Sequence, residues 1–164
     1  MIIMETISKE TGTYAGVKFS EKTKKAIRKY IKDNNIPNRV RTDSLHTTLL
    51  FSRKHLPDYE PAGTFENPLI GNFTKFVKWP SQPTKDGTVN MCLVLKYKCP
   101  ELVKRHNFLM NEHGATYDFD KYKPHITLSY NVGGLQCKDL PNFEGEIEII
   151  EEYYKPFEEW WCEE

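Results

Sequence analysis

No apolar run in this chain is long enough to cross a bilayer. The longest, such as Leu49-Leu50-Phe51, fall far short of the ~20 residues a spanning helix needs. The opening residues Met1-Ile2-Ile3-Met4-Glu5 do not read as a signal peptide. The four cysteines, Cys92, Cys99, Cys137 and Cys162, lack C-x-x-C spacing and disulfide density, so free thiols in a cytosolic protein are expected and zinc held by cysteine is not. There is no charge excess either: 23 basic and 23 acidic side chains give a net charge of zero. A protein that grips long nucleic acid needs a basic stripe to neutralise many phosphates, and none stands out. A small anionic ligand needs only a few local donors, so it survives these exclusions. At 164 residues the chain suits one domain with a core of its own.

What is present repeats. Tyr14 to Phe19 alternates like a strand, and Ser20 is placed to cap a helix running to about Asn34 with an apolar stripe of Ala26, Ile27, Tyr30 and Ile31. A strand at Leu45 to Phe51 and another at Ile70 to Trp79 follow, and Ser81 to Gly87 is rich in turn formers. The same order then returns: a strand at Val89 to Tyr97, a helix opened by Pro100 and ending near Gly114, and strands at Pro124 to Tyr130 and Gly145 to Tyr153. Leu102, His106, Leu109 and Met110 are expected on the inner face of that helix. Phe19 precedes His46 by 27 residues, and Tyr97 precedes His125 by 28. This matched spacing predicts an internal duplication of strand–helix–strand–strand. The expected fold is α+β, a single domain over 1–164. Two pseudo-symmetric lobes of antiparallel sheet, about 1–82 and 83–164, would carry outer helices around a central cleft.

Each half contains a His-x-Thr tripeptide, His46-Thr47-Thr48 and His125-Ile126-Thr127. Residues two apart in a strand share a face, so His46 projects with Thr48, and His125 with Thr127. Thr47, Leu49, Ile126 and Leu128 turn the other way. Two imidazoles and two hydroxyls facing across a cleft suit phosphodiester cleavage without a metal or any other cofactor. One imidazole takes a proton from the attacking oxygen and the other gives one to the leaving oxygen. An ordinary histidine pKa of about 6.5 lets one be neutral while the other is charged. The hydroxyls can hold the non-bridging oxygens, and a ribose 2′-hydroxyl next to the phosphate would be a ready nucleophile. A single His-x-Thr in a strand is more often structural; two at equivalent places in a duplicated unit are far more specific. His106 and His113 share a helix face with no carboxylate to complete a metal set, and His55 sits in a loop. These three are expected to be structural or exposed.

The segments Leu45-His46-Thr47-Thr48-Leu49 and Pro124-His125-Ile126-Thr127-Leu128 resemble the paired signatures of the two-histidine (2H) phosphoesterases, which include the LigT-type RNA cyclic phosphodiesterases. In length and loops the chain is most similar to the bacteriophage anti-CBASS phosphodiesterases. The resemblance implies that His46 and His125 are the acid–base pair and that Thr48 and Thr127 bind phosphate. It also implies a cyclic di- or trinucleotide substrate, made by a bacterial defence system, and action in the cytoplasm of the infected host. No long nucleic acid, membrane or obligate protein partner is expected.

Bases need stacking partners, and the chain has three tryptophans, nine tyrosines and nine phenylalanines. With Ala15, Val17 and Phe19 facing the helix, parity puts Tyr14, Gly16 and Lys18 on the cleft face. The anti-CBASS resemblance implies that an early tyrosine and a tryptophan clamp a base, with Tyr14 and Trp79 as the matching residues. The parity of Trp79 is ambiguous. Trp160 takes roughly its place in the second half, where the Trp160-Trp161 pair also suits packing. Glu152 falls on the cleft side if Ile147 and Ile149 face the core, either to accept from a guanine edge or as a solvated carboxylate. Two other functions compete: hydrolysis of RNA 2′,3′-cyclic phosphates or 2′–5′ linkages, and a sponge that binds cyclic nucleotides without turnover. Zero net charge disfavours long RNA, and two titrating groups disfavour the sponge.

Overall fold

The computed structural model describes residues 10–119 and 121–158. Among these, six strands and two helices alternate as β1 (Glu10–Phe19), α1 (Glu21–Asp33), β2 (Thr47–Ser52), β3 (Gly63–Pro80), β4 (Met91–Lys98), α2 (Pro100–Glu112), β5 (His125–Ser129) and β6 (Glu146–Glu158). Ser20 caps α1 as its sequence position predicts, its Oγ accepting from the Thr23 amide at 3.2 Å. Pro100 starts α2, and Gly114, at φ +66°, follows its end in the left-handed conformation that closes helices.

The strands form one antiparallel sheet in the order β2-β1-β6-β3-β4-β5. That order is symmetric about the β6–β3 boundary, with β1 matching β4, β2 matching β5 and β3 matching β6. The closing strand of each half is exchanged: β3 lies beside β4, and β6 beside β1. Periodicity predicts which face a side chain takes but not which strand will lie alongside, so the exchange was not legible in the sequence.

Ala15, Val17 and Phe19 of β1 are buried with Ile27 and Ile31 of α1, Leu102 and Leu109 of α2, and Ile126 and Leu128 of β5 in one continuous core. On β2 both Leu49 and Leu50 are fully buried, against simple alternation. A bulge explains this, since Ala15 pairs with Leu50 and Gly16 with Thr48, leaving Leu49 unopposed. The helices fasten to the sheet through ring stacking and polar contacts as well. Tyr30 of α1 stacks on Phe76 of β3, and the His106 Nδ1–H of α2 donates to the Leu49 carbonyl at 2.8 Å.

The outermost strands carry the two tripeptides, and the sheet bends until they meet. The buried Thr47 hydroxyl donates to the His125 carbonyl at 2.8 Å and accepts from the Tyr97 hydroxyl at 2.7 Å. Gly71 makes room for this contact, because a Cβ there would overlap the Tyr97 ring. The segment after α1 covers the free edge of β5, with the Val40 amide donating to the Leu128 carbonyl at 2.8 Å.

Candidate active site

His46 sits one residue before β2, and His125 is the first residue of β5. Each ring is anchored the same way. His46 Nδ1 lies 2.8 Å from the Ser44 carbonyl, and His125 Nδ1 lies 2.9 Å from the Lys123 carbonyl, two residues upstream in both cases. A carbonyl only accepts, so each Nδ1 carries the proton and Nε2 is the nitrogen left as acceptor in the neutral ring. The two rings are electrostatically close. Burial lowers the His125 pKa from the ordinary imidazole value, the Lys123 carbonyl opposes this, and the charges of His46 and Lys96 lower it further.

Thr48 and Thr127 follow on the same faces as their histidines, both half-buried. Thr48 Oγ1 lies 3.2 Å from the Tyr14 hydroxyl. Burial, and next the neighbouring Tyr153, hold the Tyr14 phenol far above its ordinary pKa, so it stays neutral. The Tyr14 ring meets His46 edge-on at 6.4 Å and Phe51 edge-on at 6.3 Å. A cleft of about 620 Å³ opens here, lined by Tyr14, Lys18, Asp43, His46, Phe51 and Tyr153 among others. That volume suits a ligand of nucleotide size.

Trp79, on the exchanged strand β3, lies beside β4 in the half of the sheet that carries His125. It pairs with Cys92 and shares a face with Lys75 and Val77, which resolves its parity towards the cleft. Its ring meets His125 edge-on at 4.7 Å, and at 36% exposure one side stays open. Tyr14 and Trp79 thus flank the histidine pair from opposite lobes, each against one imidazole.

Glu152 is not in the cleft, and this corrects the expectation from alternation. It is 1% exposed and pairs with Val17, whose side chain is in the core. Its carboxylate accepts from Arg105 Nε at 2.9 Å, from the Tyr59 hydroxyl at 2.7 Å and from the Ala62 amide at 3.0 Å. The cause is a bulge in β6: Phe19 pairs with Ile149 and Lys18 with Glu151, so Ile150 has no partner and the alternation flips. Trp160 lies outside the described residues. Among the described residues, no group of three or more His, Cys, Asp or Glu side chains is placed to hold a metal ion, and no helix is long and apolar enough to cross a membrane.

The sequence pattern of the family described as Anti-CBASS protein Acb1 matches residues 11–164. The chain belongs to this family. It is similar to the Acb1 protein of Enterobacteria phage T4, with 34% identity covering 99% of both chains. It is also similar to that of Salmonella phage S16, with 35% identity over 94% of this chain and 93% of the relative. Among solved structures, a Thermus thermophilus protein superposes with a TM-score of 0.54 at 17% identity, covering 87% of this chain and 86% of that one. Escherichia coli LigT, solved with 3′-AMP, superposes at 0.52 and 17% identity, covering 90% and 87%. This Acb1-family chain therefore has the LigT-like phosphoesterase fold.

The β6 bulge brings two further residues into the cleft. Tyr153 lies opposite Gly16 and Lys155 opposite Tyr14, and both line the cavity. The Tyr153 ring is tilted against Tyr14 at 6.1 Å, with Lys18 Nζ 5.3 Å from its centroid. Gly16 makes this possible: a Cβ there would come within 2.6 Å of the Tyr153 hydroxyl. The only sequence signal for Tyr153 was a glycine on the cleft face of the neighbouring strand.

Proposed function

We propose that this protein hydrolyses the 3′–5′ phosphodiester bonds of cyclic di- or trinucleotide immune signals to linear products. In the cytoplasm of an infected bacterium this would help a phage evade CBASS defence. The observation that carries the reading is the equal treatment of the two imidazoles, each with Nδ1–H tied to a carbonyl and Nε2 left for substrate. His125, whose environment favours the neutral form, is the general base and removes a proton from the attacking oxygen. As the new P–O bond forms and the old one breaks, His46 gives its proton to the leaving oxygen. Thr48 and Thr127 hold the non-bridging oxygens, while Tyr14 and Trp79 stack on a base. No metal takes part in this scheme.

The test is incubation of labelled cyclic dinucleotide with the protein in EDTA, followed by separation of products. Linear product is expected. Intact ligand held by the protein would indicate a sponge, and absence of any interaction would point to RNA ends. His46→Ala and His125→Ala should each lower turnover by about 10²–10⁴-fold. Tyr14→Ala and Trp79→Ala should weaken binding in the His125→Ala background by about 1–3 kcal/mol each. Wild-type turnover by either histidine variant would overturn the mechanism.

A further inference from the structure

Three adjacent strands place Lys75, Lys96 and His125 in a single row. Lys75 pairs with Lys96, and Lys96 with His125. Direct cross-strand partners share a face and stand about 4.5–5.5 Å apart, so both ammonium groups lie on the face that carries the catalytic imidazole. Lys123, two residues before His125, adds a third. Burial, then Lys123, then Lys75 lower the Lys96 pKa from the ordinary lysine value.

The row continues into a groove of about 490 Å³ whose lining includes Lys96, Lys98, Lys104 and Lys123 and no acidic side chain. Among the described residues neither these lysines nor Lys75 make an ion pair. Like charges directly opposite in a sheet are destabilising. In a chain of zero net charge, such an uncompensated cluster calls for an anion.

The pseudo-symmetry supplies an internal comparison. Lys18, which follows the Val17–Thr47 pair, is the counterpart of Lys96 and lines the same cleft as His46. Its partner on β6 is Glu151, with Nζ 3.9 Å from Oε2. Where the first lobe has Glu151 to answer its lysine, the second has Lys75.

We propose that Lys96, with Lys75 and Lys123 beside it, binds a phosphodiester of the substrate other than the one being cleaved. This rests on the reading that the substrate is a cyclic oligonucleotide, since such a ring must lodge at least one uncleaved phosphate near the scissile one. A charged donor does this without carrying sequence information.

The test compares wild type with Lys75→Gln, Lys96→Gln and the double variant on cyclic di- and trinucleotides at two salt concentrations. Losing one charged contact should raise KM roughly tenfold. The change in kcat should be small, and the salt dependence should flatten because fewer phosphate contacts remain. An unmoved KM and salt slope would overturn the proposal. So would a kcat loss with a shifted pH profile and unchanged KM, which would mean that Lys96 acts only on His125. If wild type opens neither ring, the functional reading fails by itself. Equilibrium dialysis of the same rings then decides the lysine row: weaker binding by the variants supports it, and equal or absent binding sinks it.

Discussion

Thr47 joins the two lobes of the site with a single oxygen. Its hydroxyl receives Tyr97 from one side and reaches the His125 backbone on the other, within a fully buried environment. Thr47→Val keeps the shape and removes both bonds, leaving the Tyr97 hydroxyl and the His125 carbonyl short of partners. The expected cost is about 1–3 kcal/mol of stability, the usual scale for buried groups left unsatisfied. Turnover should fall as well, because the strand end that aims His125 loses its tie to β2. Urea denaturation and single-turnover rates measure the two effects. A variant with unchanged stability and rate would mean that the bridge is incidental.

At the scale of elements, the bulge in β6 decides which side chains reach the cleft. By leaving Ile150 unpaired it turns Glu152 inward and Tyr153 outward. Glu152 then fastens three segments: Arg105 of α2, Tyr59 of the loop after β2, and the Ala62 backbone leading into β3. Removing one partner of a buried pair costs more than the pair contributes, because the remaining charge is stranded. Arg105 is partly exposed, so Arg105→Ala should cost somewhat less than a wholly buried pair would, about 2–3 kcal/mol. Thermal unfolding measures that loss, and the folded variant should bind cyclic nucleotide as tightly as its parent. A stable variant with weakened binding would put this network in the recognition surface after all.

For the whole molecule, pH acts on the buried His106 and the half-buried His125 in one direction. Burial lowers the pKa of both His106 and His125 below that of an exposed imidazole. Below about pH 6.5 the unfolded chain binds protons at these positions that the folded chain refuses, so stability is lost as pH falls. The Tm should drop between about pH 7.5 and about pH 5.5, and His106→Asn should shrink that drop. An equal drop in wild type and variant would remove His106 from the account. Catalysis has its own limb. With His125 as base, kcat/KM should decline on the acid side with a midpoint below about 6.5. A midpoint above that value would reverse the acid and base assignments.

The sequence by itself determined the duplicated order of elements, both helix starts, the faces taken by His46, Thr48, His125 and Thr127, and the cleft position of Tyr14. All of these are local matters, set by side-chain period, capping residues and repeat spacing. Only the tertiary structure decided the exchange of β3 and β6, the side taken by Trp79, the flip that buries Glu152 and exposes Tyr153, and the lysine row beside His125. Each of these depends on register between strands that lie far apart in the chain. One unpaired residue reverses every side chain beyond it, and a row across three strands has no linear signature. The lysines were scattered through a neutral sequence whose acids match its basic residues in number, and pairing brought them to a single face.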